Sequence, residues 1–133
     1  MNKLVCLAVF FSLGACAGLK IPPIDAKYGQ PPVAYEKTVE DYFSKKFSES
    51  ESPTYRFLRL GRAFINEGTA FGGDVSWLGY YLEIGINTKN QSGEYTGDTL
   101  YTVLFNESQI HKAYKGDGSL WVLLTRVDST PLE

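Results

Sequence analysis

The chain is poor in the residues that most chemistry requires. Two cysteines occur in 133 residues, Cys6 and Cys16, and both fall within the first sixteen. The body beyond them has no thiol and no intrachain disulfide, so its stability rests on packing alone. Histidine occurs once, at His111, which excludes a histidine cluster for a transition metal. The basic residues are scattered, only Lys45-Lys46 being adjacent, and the formal net charge is −2. Without clustered positive charge to neutralise phosphates, nucleic acid is not expected as a partner. The unbroken apolar stretch, residues 4–13, would reach as a helix only about half of a ~30 Å hydrocarbon core. Gly72-Gly73 and Gly116-Asp117-Gly118 precede strand-like segments, so neither has the helix N-terminus of a phosphate-binding loop.

What is present begins with a leader. Met1-Asn2-Lys3 supplies a positive start, and LVCLAVFFSL has the size of a signal-peptide apolar region. It ends in Leu13-Gly14-Ala15-Cys16, which resembles the lipobox of bacterial lipoproteins: an aliphatic residue, two small residues and the cysteine that is modified. The resemblance implies diacylglycerol on the Cys16 sulfur, cleavage before Cys16 and acylation, for instance by palmitate, of the new amino group. Ala15-Cys16-Ala17 also reads as an A-x-A site, at which ordinary signal peptidase would cut before Gly18 and release a soluble protein. One acyl chain anchors marginally, whereas two or three hold stably at ~0.8 kcal/mol per buried CH₂. Ala17 follows the cysteine where inner-membrane retention commonly uses Asp. The sorting rules of lipoproteins then imply the outer membrane, with the domain facing the periplasm and the membrane as partner through the lipid on Cys16.

The chain divides into a leader (1–15), a lipidated cysteine with a Pro-rich tether (16–32) and one domain (33–128). The tether, read as extended, would reach about 50 Å at ~3.3 Å per residue. Ile21, Ile24 and Tyr28 leave open that it folds back along the domain. Residues 33–47 are expected to form an amphipathic helix, with Tyr35, Val39, Tyr42, Phe43 and Phe47 on one stripe and Pro32 in the first turn. Glu36, Glu40 and Asp41 lie early and Lys45-Lys46 late, in accord with the helix dipole. Strands are expected over 54–60, 62–66 with a bulge or bend at Gly61, 74–87, 99–106, 109–114 and 119–127, with a hairpin turn at 115–118. In the strand 74–87, Leu78, Tyr80, Leu82, Ile84 and Ile86 point one way. The expected fold class is α+β: one N-terminal helix packed on a four- or five-stranded antiparallel meander.

Tyr55-Arg56-Phe57, Gly72-Gly73, Trp77-Leu78-Gly79-Tyr80, the run from Ile86 to Gly97 and Tyr101-Thr102-Val103-Leu104-Phe105 together resemble a family of small uncharacterised bacterial lipoproteins. The central motif is of the INxKNxSGxYTG type. The family pattern carries Ala where this chain has Thr88 and Gly where it has Glu94. The resemblance covers about half of the mature chain and implies fold and address, but no activity.

Several residues are candidate sites. Asn87, Asn90, Glu94 and Asp98 could offer oxygens to a hard cation, yet they do not match an EF-hand spacing, and Asn, Gly and Ser serve long hairpin loops equally well. No metal and no cofactor is therefore expected. Trp77, Tyr81 and Tyr95 form a candidate aromatic patch for a glycan or another envelope protein, against the alternative that the sheet is covered on both sides. His111 lacks an orienting acid and a nucleophile, and reads as a surface histidine. The pairs Glu40-Asp41 and Glu49/Glu51 lie along a polar face rather than across a cleft. Glu83, in the main strand, is the one carboxylate whose setting could perturb it. The expected function is that of a non-enzymatic, lipid-anchored binding or assembly module. An inhibitor or exclusion factor acting through residues 87–98 is the alternative, and a hydrolase of envelope polymers comes third.

Overall fold

The computed structural model describes residues 20–67, 73–119 and 122–132. The leader, Cys16, the competing A-x-A site and Gly72 lie outside the described residues. In chain order the elements are α1 (Tyr35–Ser44), a short 3-10 turn (Glu49–Glu51), β1 (Thr54–Asn66), β2 (Val75–Lys89), β3 (Tyr95–Asn106), β4 (Gln109–Lys115), β5 (Leu123–Arg126) and β6 (Thr130–Pro131).

The fold is α+β, mostly antiparallel sheet with one short helix. β1 to β4 form a meander, β5 adds beyond β1, and β6 also pairs with β1. The sheet thus has six strands, more than the four or five expected. The hairpin expected at residues 115–118 does not join β4 to β5. Gly116 instead donates its N–H to the Leu100 carbonyl and accepts from the Thr102 hydroxyl. The chain then carries over to the opposite edge, where Ala63–Asn66 of β1 pair with β5.

Alternation along β2 creates two buried faces. Leu82, Ile84 and Ile86 meet Val103, Phe105 and the helix residues Val39 and Phe43 in one core. Phe43 packs edge-on against Tyr101 at 5.0 Å between ring centres. On the other face Trp77 and Tyr81 lie with Ala63, Ile65, Leu104 and Tyr114, and Val122 and Leu124 pack over them. Both faces are therefore covered, which an antiparallel sheet needs only when each presents apolar residues.

The helix is shorter than residues 33–47 and is not at the start of the chain. Ala34 is left-handed (φ 50°), so helical geometry begins at Tyr35, and Pro32 is buried ahead of it. The expected stripe is retained: Val39 and Phe43 are buried, while Tyr35, Tyr42 and Phe47 pack against the same core. β1 is one continuous strand. Its pairing with β2 is irregular between Phe57 and Arg59, around Leu58, and between Ile65 and Asn66, and not at Gly61. Gly61 is instead where the β5–β6 connection crosses: an added Cβ would stand 2.8 Å from the Asp128 carbonyl carbon and 2.9 Å from Ser129 Cα.

The described part of the tether also departs from the extended expectation and lies along the domain. The Asn66 side chain donates to the Lys20 carbonyl at 2.7 Å, and Lys20 pairs with Asp74 at 2.5 Å. Tyr28 lies under the Arg62 guanidinium, and Val33 donates its N–H to the Ser108 hydroxyl. The strap starts at the β1–β2 end of the sheet and leads into α1.

Candidate interaction surface

The resemblance motif forms the β2–β3 hairpin, and its geometry is set residue by residue. Asn90 donates its N–H to the Glu94 carbonyl at 2.8 Å, and Gly93 donates to the Asn90 carbonyl at 3.0 Å. This is a three-residue loop, Gln91-Ser92-Gly93, with Gly93 left-handed at φ 80° as that loop type demands. The Asn90 Oδ1 accepts from the N–H groups of both Ser92 and Glu94. Asn87 Oδ1 accepts from Gly97 N–H at 3.0 Å, where Gly97 has φ 102°. Asn87 and Asn90 are thus conformational residues, with oxygens engaged inside the hairpin rather than gathered for a cation. β2 and β3 also run further than expected, so the loop shrinks from residues 88–98 to 90–94.

Residues 90–96 of the hairpin are exposed, and among them Tyr95 stands beside the half-buried Lys89. Tyr95 is 46% exposed, donates its hydroxyl to the Ser52 carbonyl, and carries the Lys89 ammonium 5.3 Å above its ring. Ser52 belongs to the segment after α1, so this bond staples the hairpin to the loop beside it. Ser48, Ser50, Glu51, Lys89, Asn90 and Gln91 line a cleft of about 530 Å³ between the two. Ser48 donates its N–H to the Glu51 carboxylate at 2.6 Å. With the Glu51 carboxylate engaged in this cap, the cleft offers hydrogen-bonding groups and one cation, Lys89.

Trp77 and Tyr81 do not belong to this surface. They are 8% and 0% exposed, so the expected aromatic patch reduces to Tyr95. The Trp77 indole donates to Asn106 Oδ1 at 2.8 Å, and His111 stacks on it at 6.0 Å with 10° between planes. The His111 Nδ1 faces the Asn106 amide at 3.3 Å. The group beside the His111 ring nitrogen is therefore an amide, where a Ser-His-Asp triad has a carboxylate. Glu83 is held by Arg126 at 2.9 Å, and the same guanidinium lies over the Tyr81 ring.

Charged residues form a girdle that the linear sequence did not reveal. Arg56 on β1 reaches Asp98 on β3 at 2.8 Å across Gly85 of the intervening strand. An added Cβ at Gly85 would come within 2.7 Å of that carboxylate. Asp128 accepts from the Arg62 backbone N–H at 2.6 Å and from its guanidinium at 2.7 Å, while its carbonyl accepts the buried Tyr81 hydroxyl at 3.0 Å. Burial alone pushes the Asp128 carboxyl up, but the Arg62 backbone N–H, guanidinium bond and charge outweigh it and hold the carboxyl below its ordinary value. Burial raises the Tyr81 phenol. The register that unites Arg62, Tyr81 and Asp128 is long-range, which is why residue spacing gave no sign of it.

A second exposed feature is the strap. Ile21, Ile24 and Val127 are 69%, 108% and 44% exposed, beside a cleft of about 420 Å³ that also includes Tyr28, Arg62 and Phe64. Among the described residues, no three His, Cys, Asp or Glu side chains assemble as a metal-ligand group, and no helix is long and apolar enough to cross a membrane. In comparisons with known proteins no family model matches the chain, and no curated protein or solved structure gives a significant match.

Proposed function

We propose that the protein is a bacterial envelope lipoprotein, anchored by lipid on Cys16, whose α+β domain is a non-enzymatic binding or assembly module working through the β2–β3 hairpin. The observation that carries this reading is a polarity of the domain. The strap that follows the lipobox cysteine is fastened at the β1–β2 end, by Asn66 and Asp74. The stapled hairpin lies at the other end of β2, whose 15 residues extend about 46 Å at ~3.3 Å per step. An anchor at one end and a fixed, exposed Tyr95 at the other suit a protein that presents a recognition element away from a bilayer. The outer membrane, with the domain in the periplasm, follows from Ala17 by the lipoprotein sorting rule.

The partner class is another envelope protein or a glycan, since an exposed aromatic with a cation and amide donors matches either. The rigid hairpin supports a second reading, an inhibitor or exclusion factor that inserts residues 90–95 into an enzyme or receptor. The test is a photo-crosslinking amino acid in place of Tyr95 in the native lipoprotein, with Ser44 on the exposed side of α1 as control. A discrete adduct at position 95, absent at 44, is expected. Identical patterns at both positions, or none at 95, would overturn the hairpin as the recognition element.

A further inference from the structure

The strap and the β5–β6 connection leave three aliphatic side chains, Ile21, Ile24 and Val127, in water along the flank of β1, from Ile21 next to the Lys20–Asn66 bond to Val127 beside Arg62. Ile24 is the extreme case. It sits in a turn closed by the Ala26 N–H to Pro23 carbonyl bond at 2.9 Å and is fully exposed. Pro22 and Pro23 precede it and fix the backbone there, so the isoleucine is held outward rather than left on a loose chain. Lys20 and Lys27 bracket Ile21 and Ile24 in sequence with Asp25 between them; Lys20 is paired with Asp74, and Asp128, which follows Val127, is paired with Arg62. We propose that this patch is a lipid-seating surface: Ile21, Ile24 and Val127 enter the headgroup and upper acyl region of the bilayer that holds Cys16.

This inference rests on the lipid-anchor reading above. The occupant follows from chain length. Four residue steps separate Cys16 from Lys20, a reach of at most about 14 Å at ~3.3–3.6 Å per step. Lys20 is itself fastened to Asn66 and Asp74. An acylated Cys16 therefore draws this end of the sheet onto the membrane surface, in place of a domain held clear on a tether of about 50 Å. Apolar side chains beside basic ones are what the interfacial region accepts, to a depth of about 5–10 Å. Once acylation supplies the anchor, the patch governs orientation: it turns the strap-covered flank of β1 at the Asn66 end toward the bilayer and leaves the 90–94 turn, at the other end of β2, clear of it.

The test uses the complete lipoprotein in vesicles of phosphatidylethanolamine and phosphatidylglycerol with a nitroxide high on the acyl chain. Ile24→Cys and Gln91→Cys each carry an environment-sensitive fluorophore. Neither thiol has a competitor in the mature lipoprotein, because Cys6 leaves with the leader and the Cys16 sulfur is a thioether. The expected result is a blue shift and strong nitroxide quenching at position 24, with neither at position 91. An Ile21→Asp, Val127→Asp background should abolish the quenching at 24 while acylation persists. No quenching at 24 on a protein whose intact mass includes the acyl chains overturns the seating surface alone. A shift at 24 that grows with protein density and is insensitive to the nitroxide assigns the patch to a second copy and overturns it likewise. An intact mass without acyl chains overturns the anchor reading, and the seating surface with it.

Discussion

Replacing Gly61 by alanine puts one methyl group into the most crowded backbone crossing of the domain. In an extended strand with free space, glycine to alanine stabilises by ~0.4–1 kcal/mol, because the unfolded chain loses freedom. Here the Cβ would stand 2.8 Å from the Asp128 carbonyl carbon and 2.9 Å from Ser129 Cα, and closer still to the Asp128 oxygen. These are backbone atoms and cannot rotate away. The 127–129 segment must lift, although Val127 N–H is bonded to the Arg62 carbonyl at 2.8 Å and Asp128 to Arg62 at 2.6 and 2.7 Å. Overpacking of this kind costs ~1–3 kcal/mol. Lifting the Asp128 carbonyl also strips the acceptor from the buried Tyr81 hydroxyl, a further ~1–3 kcal/mol. Net of the unfolded-state gain, Gly61→Ala should destabilise by about 3 kcal/mol. Urea unfolding followed by tryptophan fluorescence measures it. Gly93→Ala is the comparison, since nothing lies within 4 Å of its added Cβ and only the left-handed backbone opposes it, at ~1–2 kcal/mol. A Gly61→Ala protein as stable as the parent would refute the reasoning.

Asn90→Ala removes the acceptor of two loop N–H groups and should loosen the tip by about 1 kcal/mol. Amide exchange at Ser92 and Glu94 reads this directly, and unchanged protection would contradict the capping role. Asp128 has a carboxyl held below its ordinary value, so its contribution to stability is complete above the unfolded pKa of ~3.9 and is lost as pH falls through the lower folded value. Asp128→Asn should therefore flatten the acid limb of the stability profile below about pH 4, and an unaltered limb would exclude that role.

Much of the fold was legible because the strong local patterns were also the buried ones. The stripe Tyr35, Val39, Tyr42, Phe43 and Phe47 and the alternation Leu82, Ile84, Ile86 are period signals that burial enforces. What escaped was long-range. Lys115-Gly116-Asp117-Gly118 carries turn residues, yet those glycines serve a crossing to the far edge, and local turn chemistry does not determine which strand the next segment joins. For Trp77 and Tyr81 the sequence leaves both an exposed patch and a doubly covered sheet open, the second being what the fold adopts, because nothing in residues 74–87 announces that Val122 and Leu124 will cover them. The prolines of the strap favour an extended tether and its Ile21, Ile24 and Tyr28 a fold-back, and the choice is made by partners remote in sequence: Lys20, Tyr28 and Val33 meet Asn66, Asp74, Arg62 and Ser108. Within the candidate surface, Asn87, Asn90 and Gly93 were identifiable as hairpin residues. The Tyr95–Ser52 staple, joining segments 43 residues apart, was not.

The central claim is that this domain is held on a membrane through Cys16, and metabolic labelling with radioactive fatty acid tests it most directly. The parent chain should incorporate label and Cys16→Ala should incorporate none. Label that persists on Cys16→Ala, or a parent that never acquires it, would contradict the account.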